Sequence, residues 1–293
     1  MEYAEFKLDY ESTMQRFQFY NLGDVHNGAV SFDYNSFLKT VKEIADNPFA
    51  WWFGMGDDCE FINCDDKRFD PKNLAPRHRD HIDNLAVSEC DEHLELIEPI
   101  EDKCLGKIGG NHDDLICRKY HFDPLDYIIR RMNERLQSKG LEHRVPNLGY
   151  GKAIVRVLLR HKGDHMPSYP VLFNLAHGWG GGEYPGGNLN RLVRLSANDD
   201  ADVIMRGHVH KMLSYLMPVF RYPRKGRLVA IKQSKALLIC GSYYKTYQEG
   251  VTSYAEQRDY APVETGSNWV KIKITPPRLV MEVGGGTTIR EQE

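Results

Sequence analysis

Five short apolar or β-prone runs in this chain each lead into a polar cluster beside a glycine. Such a run, bounded by turn residues, is typical of a buried strand, and its polar cluster is then expected at the strand's end. Every cluster offers a carboxylate, an amide oxygen or an imidazole, and none offers a thiolate. In chain order the clusters are Asp24-Val25-His26, Gly56-Asp57-Asp58, Gly110-Asn111-His112-Asp113, Ala176-His177-Gly178 and Gly207-His208-Val209-His210.

Strand and helix patterns alternate along the first half of the chain, which predicts a layered α/β domain with parallel neighbouring strands. The second half is mainly strand-like, and Pro276-Pro277 predicts a terminal hairpin. Two packed sheets flanked by helices, in one domain over residues 1–293, account for this order. The predicted strands are 16–21, 49–55, 104–108, 153–161, 171–175, 203–205, 227–239, 269–274 and 278–283, and the predicted helices are 37–45, 85–100 and 123–137.

Two stretches have the composition of insertions into such a domain. Residues 60–85 are polar, and residues 178–190 contain six glycines. Both follow proposed ligands, so both are expected to lie over the site as cap-like segments, where glycine permits a close backbone approach or a mobile lid. The alternative for each is an ordinary surface loop.

Composition narrows the class of protein. The formal net charge is -3, which does not suit a highly basic nucleic-acid coat protein. No apolar run approaches the roughly 20 residues of a membrane-spanning helix, and the polar first residues do not suggest a signal peptide, so a cytoplasmic protein without a membrane partner is expected. The six cysteines form no C-x-x-C pair and are expected to be reduced packing thiols. The oligomeric state is left open.

The clusters contain the donors for two divalent metal ions. Asp57 is the natural bridge, because a carboxylate has two oxygens. Ligation by Asp, Asn and His suits Mn, Fe, Zn or Ni better than Ca. Two such ions about 3.5–4 Å apart can clamp the oxygens of an in-line displacement and activate a bridging water as hydroxide. His112, next to Asn111, is then expected to lie just outside the ions, with Glu60 or Asp113 as its orienting acid.

The complete, ordered set of motifs resembles the calcineurin-like metallophosphoesterase superfamily. The chain shows D-x-H at Asp24, G-D-x-x-E at Gly56, G-N-H-D at Gly110, a lone His177 and G-H-x-H at Gly207. The G-N-H-D form is shared with the phosphodiesterase and nuclease branches, whereas Phe61 stands where the protein-phosphatase branch has arginine. The resemblance implies a four-layer αββα sandwich with His112 as acid or charge stabiliser. It also implies one metal held by Asp24, His26, Asp57 and His210, and a second held by Asp57, Asn111, His177 and His208.

The leading hypothesis is a hydrolase of ester bonds that cleaves a phosphodiester through a metal-bridging hydroxide. A DNA or RNA nuclease, exo- or endonucleolytic, could use the same dinuclear site. A phosphomonoesterase and a non-catalytic metal-binding scaffold are further alternatives. The physiological substrate, a phosphate ester with nucleotides and nucleic acids among the candidates, is left open. The residues proposed to contact it are Arg77, His78, His81, Trp179, Tyr184 and Arg191.

Overall fold

The computed structural model describes residues 1–163, 167–178, 180, 184–221, 231–249, 256, 259, 261–276 and 278–285. Within these ranges the chain forms eleven strands and five α-helices. The strands are β1 (Glu2–Tyr10), β2 (Arg16–Leu22), β3 (Ala50–Gly54), β4 (Cys104–Lys107), β5 (Ala153–His161), β6 (Tyr169–Ala176), β7 (Val203–Arg206), β8 (Leu213–Arg221), β9 (Ile231–Ile239), β10 (Asn268–Thr275) and β11 (Arg278–Gly285). The helices are α1 (Tyr34–Asp46), α2 (Leu85–Ile97), α3 (Asn111–Tyr120), α4 (Pro124–Ser138) and α5 (Pro185–Ala197).

The strands form two mixed sheets. The five-stranded sheet has the order β11-β10-β2-β3-β4, with β2, β3 and β4 parallel and the β10–β11 hairpin antiparallel. The six-stranded sheet has the order β1-β5-β6-β7-β9-β8, in which β6, β7 and β9 run parallel. The predicted parallel neighbours and the terminal hairpin are therefore confirmed.

Period-two alternation sends successive side chains of each sheet to two different cores. Phe17, Phe19 and Phe53 enter the core between the sheets, whereas Leu22 and Trp52 enter a second core beneath α1, α2 and α4. A third cluster joins α5 to the outer face of the six-stranded sheet. Burying each such side chain contributes roughly 1.5–3 kcal/mol before the conformational entropy is subtracted. The layer order is helix, sheet, sheet, helix, so the predicted αββα fold is confirmed.

Some elements differ from the sequence prediction. β1 was not predicted: it is an edge strand, paired parallel with β5, and only Leu8 and Tyr10 of its nine residues are buried. α5 begins at Pro185, inside the stretch predicted as a glycine-rich loop, because proline suits the first helical position. β8 and α3 were also missed. None of the described helices is long and apolar enough to cross a membrane.

Candidate metal centre

The five polar clusters meet at the carboxyl ends of strands from both sheets. Three of them follow the parallel strands β2, β3 and β4, and the other two follow β6 and β7. Such an edge is where open α/β sheets bind ligands. Backbone hydrogen bonds tie the loops together, from Asp24 N to Gly56 O (3.0 Å) and from Gly207 N to His177 O (2.9 Å). The two sheets are joined directly, since the His208 N–H donates to Asp24 Oδ2 over 2.8 Å.

The first group of potential ligands consists of Asp24, His26 and His210, whose ligand atoms lie within 4.8 Å of one another. The Nε2 atoms of His26 and His210 are 3.0 Å apart, and Asp24 Oδ1 lies 3.7 Å from His210 Nε2. Asp24 Oδ1 is fully buried, and no hydrogen bond reaches it from the described residues. A buried carboxylate oxygen without a donor is costly, and a cation would satisfy it.

The second group consists of Asp57, His177 and His208, with the amide of Asn111 among them. His177 Nε2 lies 3.1 Å from Asp57 Oδ2 and 3.1 Å from Asn111 Oδ1. His208 Nδ1 lies 2.6 Å from the same amide oxygen. The Asp57 carboxylate can lie this close to the loop of Asn111 only because residue 110 is glycine, since a Cβ atom there would overlap the carboxylate.

The chemistry of these donors fits two divalent ions. Each group combines anionic oxygen with imidazole nitrogen, the mixture that suits Mn, Fe, Zn or Ni. Asp57 has one oxygen toward His177, and its other oxygen, Oδ1, accepts from the backbone N–H of His112 over 2.8 Å. The structure thus brings together all seven side chains that the motifs single out: Asp24, His26, Asp57, Asn111, His177, His208 and His210.

The loops that carry these residues are not extended. Asp24, His26 and Asp57 have φ values of 49°, 53° and 52°, and His208 and His210 have values of 74° and 55°. A left-handed residue other than glycine costs about 1–2 kcal/mol, and Asp is among the types that tolerate it best. The convergence of the side chains therefore comes from tight left-handed turns, which the backbone hydrogen bonds hold in place.

Three of the histidines are oriented through their Nδ1 atoms. His26 Nδ1 lies 2.7 Å from Glu60 Oε2, and His177 Nδ1 lies 2.6 Å from the Met55 carbonyl, so Nε2 is the atom that each presents to the site. His112 Nδ1 lies 2.5 Å from the Glu60 carbonyl. The expected orientation of His112 by an acidic side chain is therefore corrected, because the Glu60 carboxylate binds His26 instead.

Asp113 has a different task from the one expected. Its Oδ2 accepts hydrogen bonds from the backbone N–H groups of Gly110 (2.7 Å) and Asp57 (3.0 Å), so it joins two of the loops. Burial, together with the Asp58 and Asp57 carboxylates, raises the pKa of Asp113 to about 7. It is a loop-positioning residue rather than a partner of the His112 ring.

Burial and neighbouring charges shift the pKa values of His26 and His210 in opposite directions. Burial lowers the pKa of His26, but the neighbouring carboxylates of Glu60, Asp57 and Asp24 outweigh it and raise the pKa to about 9. Burial is the main reason that the pKa of His210 falls to about 4. The facing pair therefore carries a single positive charge, on His26, in the space where the donors could hold a cation.

A buried ion pair lies behind Asp57 and was not predicted. Lys107 Nζ is 2.8 Å from Asp58 Oδ2, and the lysine side chain is completely buried. His93 Nε2 is 3.5 Å from the other oxygen of Asp58, and the ammonium lies 5.0 Å from the ring centroid of Trp52. The only signal in the sequence was a lysine inside the otherwise apolar run 104–108.

The inserted residues 60–85 lie beside the loop that follows His26. The backbone N–H of Val30 donates to Asn73 O, and that of Ala75 donates to Gly28 O, both over 2.8 Å. The segment consists of loops with 3-10 helical turns at 71–73 and 76–84. Between it and Tyr244 is a small cavity of about 40 Å³ that is also lined by Glu60.

The proposed substrate contacts lie in different parts of the structure. His78 is completely buried, with Nδ1 2.9 Å from Ser88 Oγ and Nε2 2.5 Å from Glu92, so it has no ring nitrogen left for a substrate. Arg77 forms ion pairs with Glu92 and with Glu95. These two side chains hold the insertion against α2, and the complete burial of His78 contradicts its expected contact with a substrate. His81 and Tyr184 are exposed, Arg191 lines a cavity beside His177, and Trp179 lies outside the described residues.

Cys240 was expected only to pack, but it also contacts the site. Its Sγ lies 3.0 Å from Asp24 Oδ2, and burial raises its pKa well above the usual value, so it is a thiol that donates to the carboxylate. Cys59 is also buried, and burial raises the pKa of its thiol well above the usual value.

The sequence matches no protein-family profile and no curated protein. Similar solved structures include a conserved uncharacterized protein of Streptococcus pneumoniae TIGR4, described as a predicted phosphoesterase, with 11% identity over 92% of this chain and 99% of that one and a TM-score of 0.33. Vps29 of Entamoeba histolytica, complexed with zinc, shows 10% identity over 92% and 99% with a TM-score of 0.36. Vacuolar Protein Sorting 29 of Cryptosporidium parvum shows 11% identity over 93% and 99% with a TM-score of 0.36. These values are too low to carry an argument about function, which depends on the residues of the site.

Proposed function

We propose that this chain is a metal-dependent phosphoesterase that hydrolyses a phosphodiester. The observation that carries the proposal is the pair of adjacent ligand groups, Asp24-His26-His210 and Asp57-His177-His208, with the His112 ring beside them. The ring centroids of His112 and His26 are 5.0 Å apart. A metal site alone needs no such histidine, whereas cleavage of an ester benefits from one.

The proposed ligands divide between two ions. Asp24, His26, Asp57 and His210 would hold the first, and Asp57, Asn111, His177 and His208 would hold the second, with Mn, Fe, Zn and Ni as the candidate metals. When bound, such a pair supplies Lewis-acid stabilisation and an activated water. Glu60 and the Met55 carbonyl keep the Nε2 atoms of His26 and His177 toward the site through the hydrogen bonds described above.

His112 is the proposed general acid. Its Nδ1–H donates to the Glu60 carbonyl, which leaves Nε2 as the ring atom that can reach a substrate. The backbone N–H of the same residue fixes it to Asp57. A proton on Nε2 can pass to the leaving oxygen as the phosphorus–oxygen bond breaks, which matters most when the leaving group is a poorly stabilised alkoxide.

The test is hydrolysis of bis-p-nitrophenyl phosphate by protein loaded separately with Mn²⁺, Zn²⁺, Ni²⁺ or Fe²⁺. We expect turnover with at least one metal, and a fall of roughly 10²–10⁴-fold in His112→Ala with unchanged metal content. The matched control is His121→Asn, at the exposed left-handed end of α3, because asparagine tolerates that conformation.

The alternatives give different results in the same experiment. Bound metal without turnover would favour a non-catalytic scaffold, and cleavage of p-nitrophenyl phosphate alone would favour a phosphomonoesterase. Cleavage of single- or double-stranded oligonucleotides would extend the proposal to a nuclease that uses the same centre.

A further inference from the structure

A cavity of about 270 Å³ lies beside the second ligand group. It is lined by Gly178, which follows His177, and by Gly207 and Val209, which flank His208. The cavity therefore lies beside the loops that carry two of the proposed ligands, His177 and His208. The remaining walls come from α5 and from the ends of β6, β7 and β9.

One face of α5 forms the outer wall. Asn188, Arg191, Leu192 and Leu195 line the cavity, and their spacing of i, i+3, i+4 and i+7 places them on a single side of the helix. The face is mixed in character, because an amide and a guanidinium stand beside two leucines. Ile239 and Val209 add further aliphatic surface from the sheet side.

Asn188 carries an unsatisfied donor at this wall. The residue is only 7% exposed, and its Nδ2 has no hydrogen-bond partner among the described residues. Buried polar atoms almost always have partners, so an amide that finds no acceptor among the described residues is a candidate to bind one supplied by a ligand in the cavity. The cavity is the space from which that acceptor can come.

The charged residues of the lining are both cationic. Arg206 is fixed by hydrogen bonds from its guanidinium to Asn174 O (3.1 Å) and Asn174 Oδ1 (3.1 Å), and Arg191 faces the same cavity from α5. The described lining contains no carboxylate. It therefore favours a ligand that is rich in hydrogen-bond acceptors over one that brings donors or positive charge.

We propose that this cavity binds the base of a nucleotide whose phosphate lies at the metal centre, an inference that rests on the proposed function of that centre. A hydrocarbon group would leave the Asn188 amide unpaired, and a lone phosphate would leave the aliphatic walls without a partner. A heteroaromatic base satisfies both, since it has apolar faces and an edge of carbonyl and ring-nitrogen acceptors.

The test compares two nucleotides with a sugar phosphate that has no base. Adenosine and uridine 5′-monophosphates are measured against ribose 5-phosphate by calorimetry on metal-loaded protein. We expect at least one nucleotide to bind about tenfold or more tightly than ribose 5-phosphate. Equal binding of all three, or no binding at all, would overturn the inference.

The result does not depend on catalysis. A preference for the nucleotide in a protein that hydrolyses no ester would retain the base site and reject the phosphoesterase. Hydrolysis of bis-p-nitrophenyl phosphate without a nucleotide preference would support the phosphoesterase and reject the base site.

Matched variants locate the site on α5. Asn188→Leu should weaken nucleotide binding about three- to tenfold and leave ribose 5-phosphate unaffected, whereas Asn190→Leu, exposed on the same helix, should change neither. Arg191→Ala should weaken the nucleotide more than the exposed Arg194→Ala does. If Asn188→Leu fails to fold, Asn188→Asp removes the donor at nearly constant volume. Wild-type nucleotide affinity in the folded Asn188 variants would contradict the proposal.

Discussion

The Glu60 carboxylate lies 2.7 Å from His26 Nδ1, and His26 Nε2 in turn lies 3.0 Å from His210 Nε2. The acid at the start of the insertion thus determines which nitrogen of His26 faces the first ligand group. A carboxylate behind a ligating imidazole fixes its tautomer and raises its basicity. The position of Glu60, three residues after Asp57, therefore places its carboxylate where it orients the ring of His26.

We predict that Glu60→Ala weakens metal binding about 10- to 100-fold, because His26 loses its orienting partner. Glu60→Gln should lie between that variant and the wild type, since its amide oxygen still accepts from Nδ1. The measurement is a competition for Mn²⁺ or Zn²⁺ against a chelator, with the exposed Glu142→Ala as control. Wild-type affinity in Glu60→Ala would mean that the backbone alone positions His26.

The buried pair of Lys107 and Asp58 gives a prediction about stability. Burial lowers the pKa of Lys107, but Asp58 outweighs it and raises the pKa, so the ammonium stays charged. Lys107→Met should lower the free energy of unfolding by about 3–5 kcal/mol, because it leaves the Asp58 carboxylate buried without its cation.

Urea unfolding measures this loss, and the double variant Lys107→Met/Asp58→Asn is the informative control. Removing the stranded charge should recover part of the stability. If the double variant is as unstable as the sum of the two single variants, the residues do not act as a pair.

Glu89 makes stability depend on pH. Burial raises its pKa well above the usual 4.5, and its Oε2 accepts from the Phe61 N–H over 2.8 Å. The folded state therefore holds this proton more tightly than the unfolded state does. The stabilisation that comes from the protonated Glu89 is complete below about pH 4.5. It is lost as the pH rises toward the pKa that Glu89 has in the folded state.

Glu89→Gln retains an acceptor for Phe61 but has no proton to lose. The variant should gain stability relative to the wild type between pH 4 and pH 8, as measured by urea unfolding at each pH. Glu142→Gln, at an exposed position, is the control and should follow the wild type. A constant difference across the pH range would show that Glu89 does not titrate in the folded protein.

The layered fold was predictable because its core strands and helices repeat apolar residues with clear periods. The strand pairs that begin in such runs, β2 with β3 and β3 with β4, are parallel as expected. The missed elements lack this signal. β1 is an exposed edge with little burial, and α5 starts among glycines, where its tertiary contact through Leu192 outweighs the low helix propensity.

The convergence of the site was predictable from strand ends, but its local geometry was not. The left-handed backbone at Asp24 and Asp57 depends on hydrogen bonds between loops that are distant in the sequence. The tasks of Glu60 and His78 were misassigned for the same reason, since a sequence shows which acids and bases are near in the chain but not which ones are near in space.

The joint between the sheets has a mechanical consequence. Asp24, Asp57 and Asn111 follow strands of one sheet, whereas His177 and His208 follow strands of the other. An ion bound by ligands from both sheets would link the two layers, and its binding free energy would oppose their separation. The unfolding temperature should then rise with metal concentration. After addition of a chelator, amide hydrogen exchange should increase first at this edge of the two sheets.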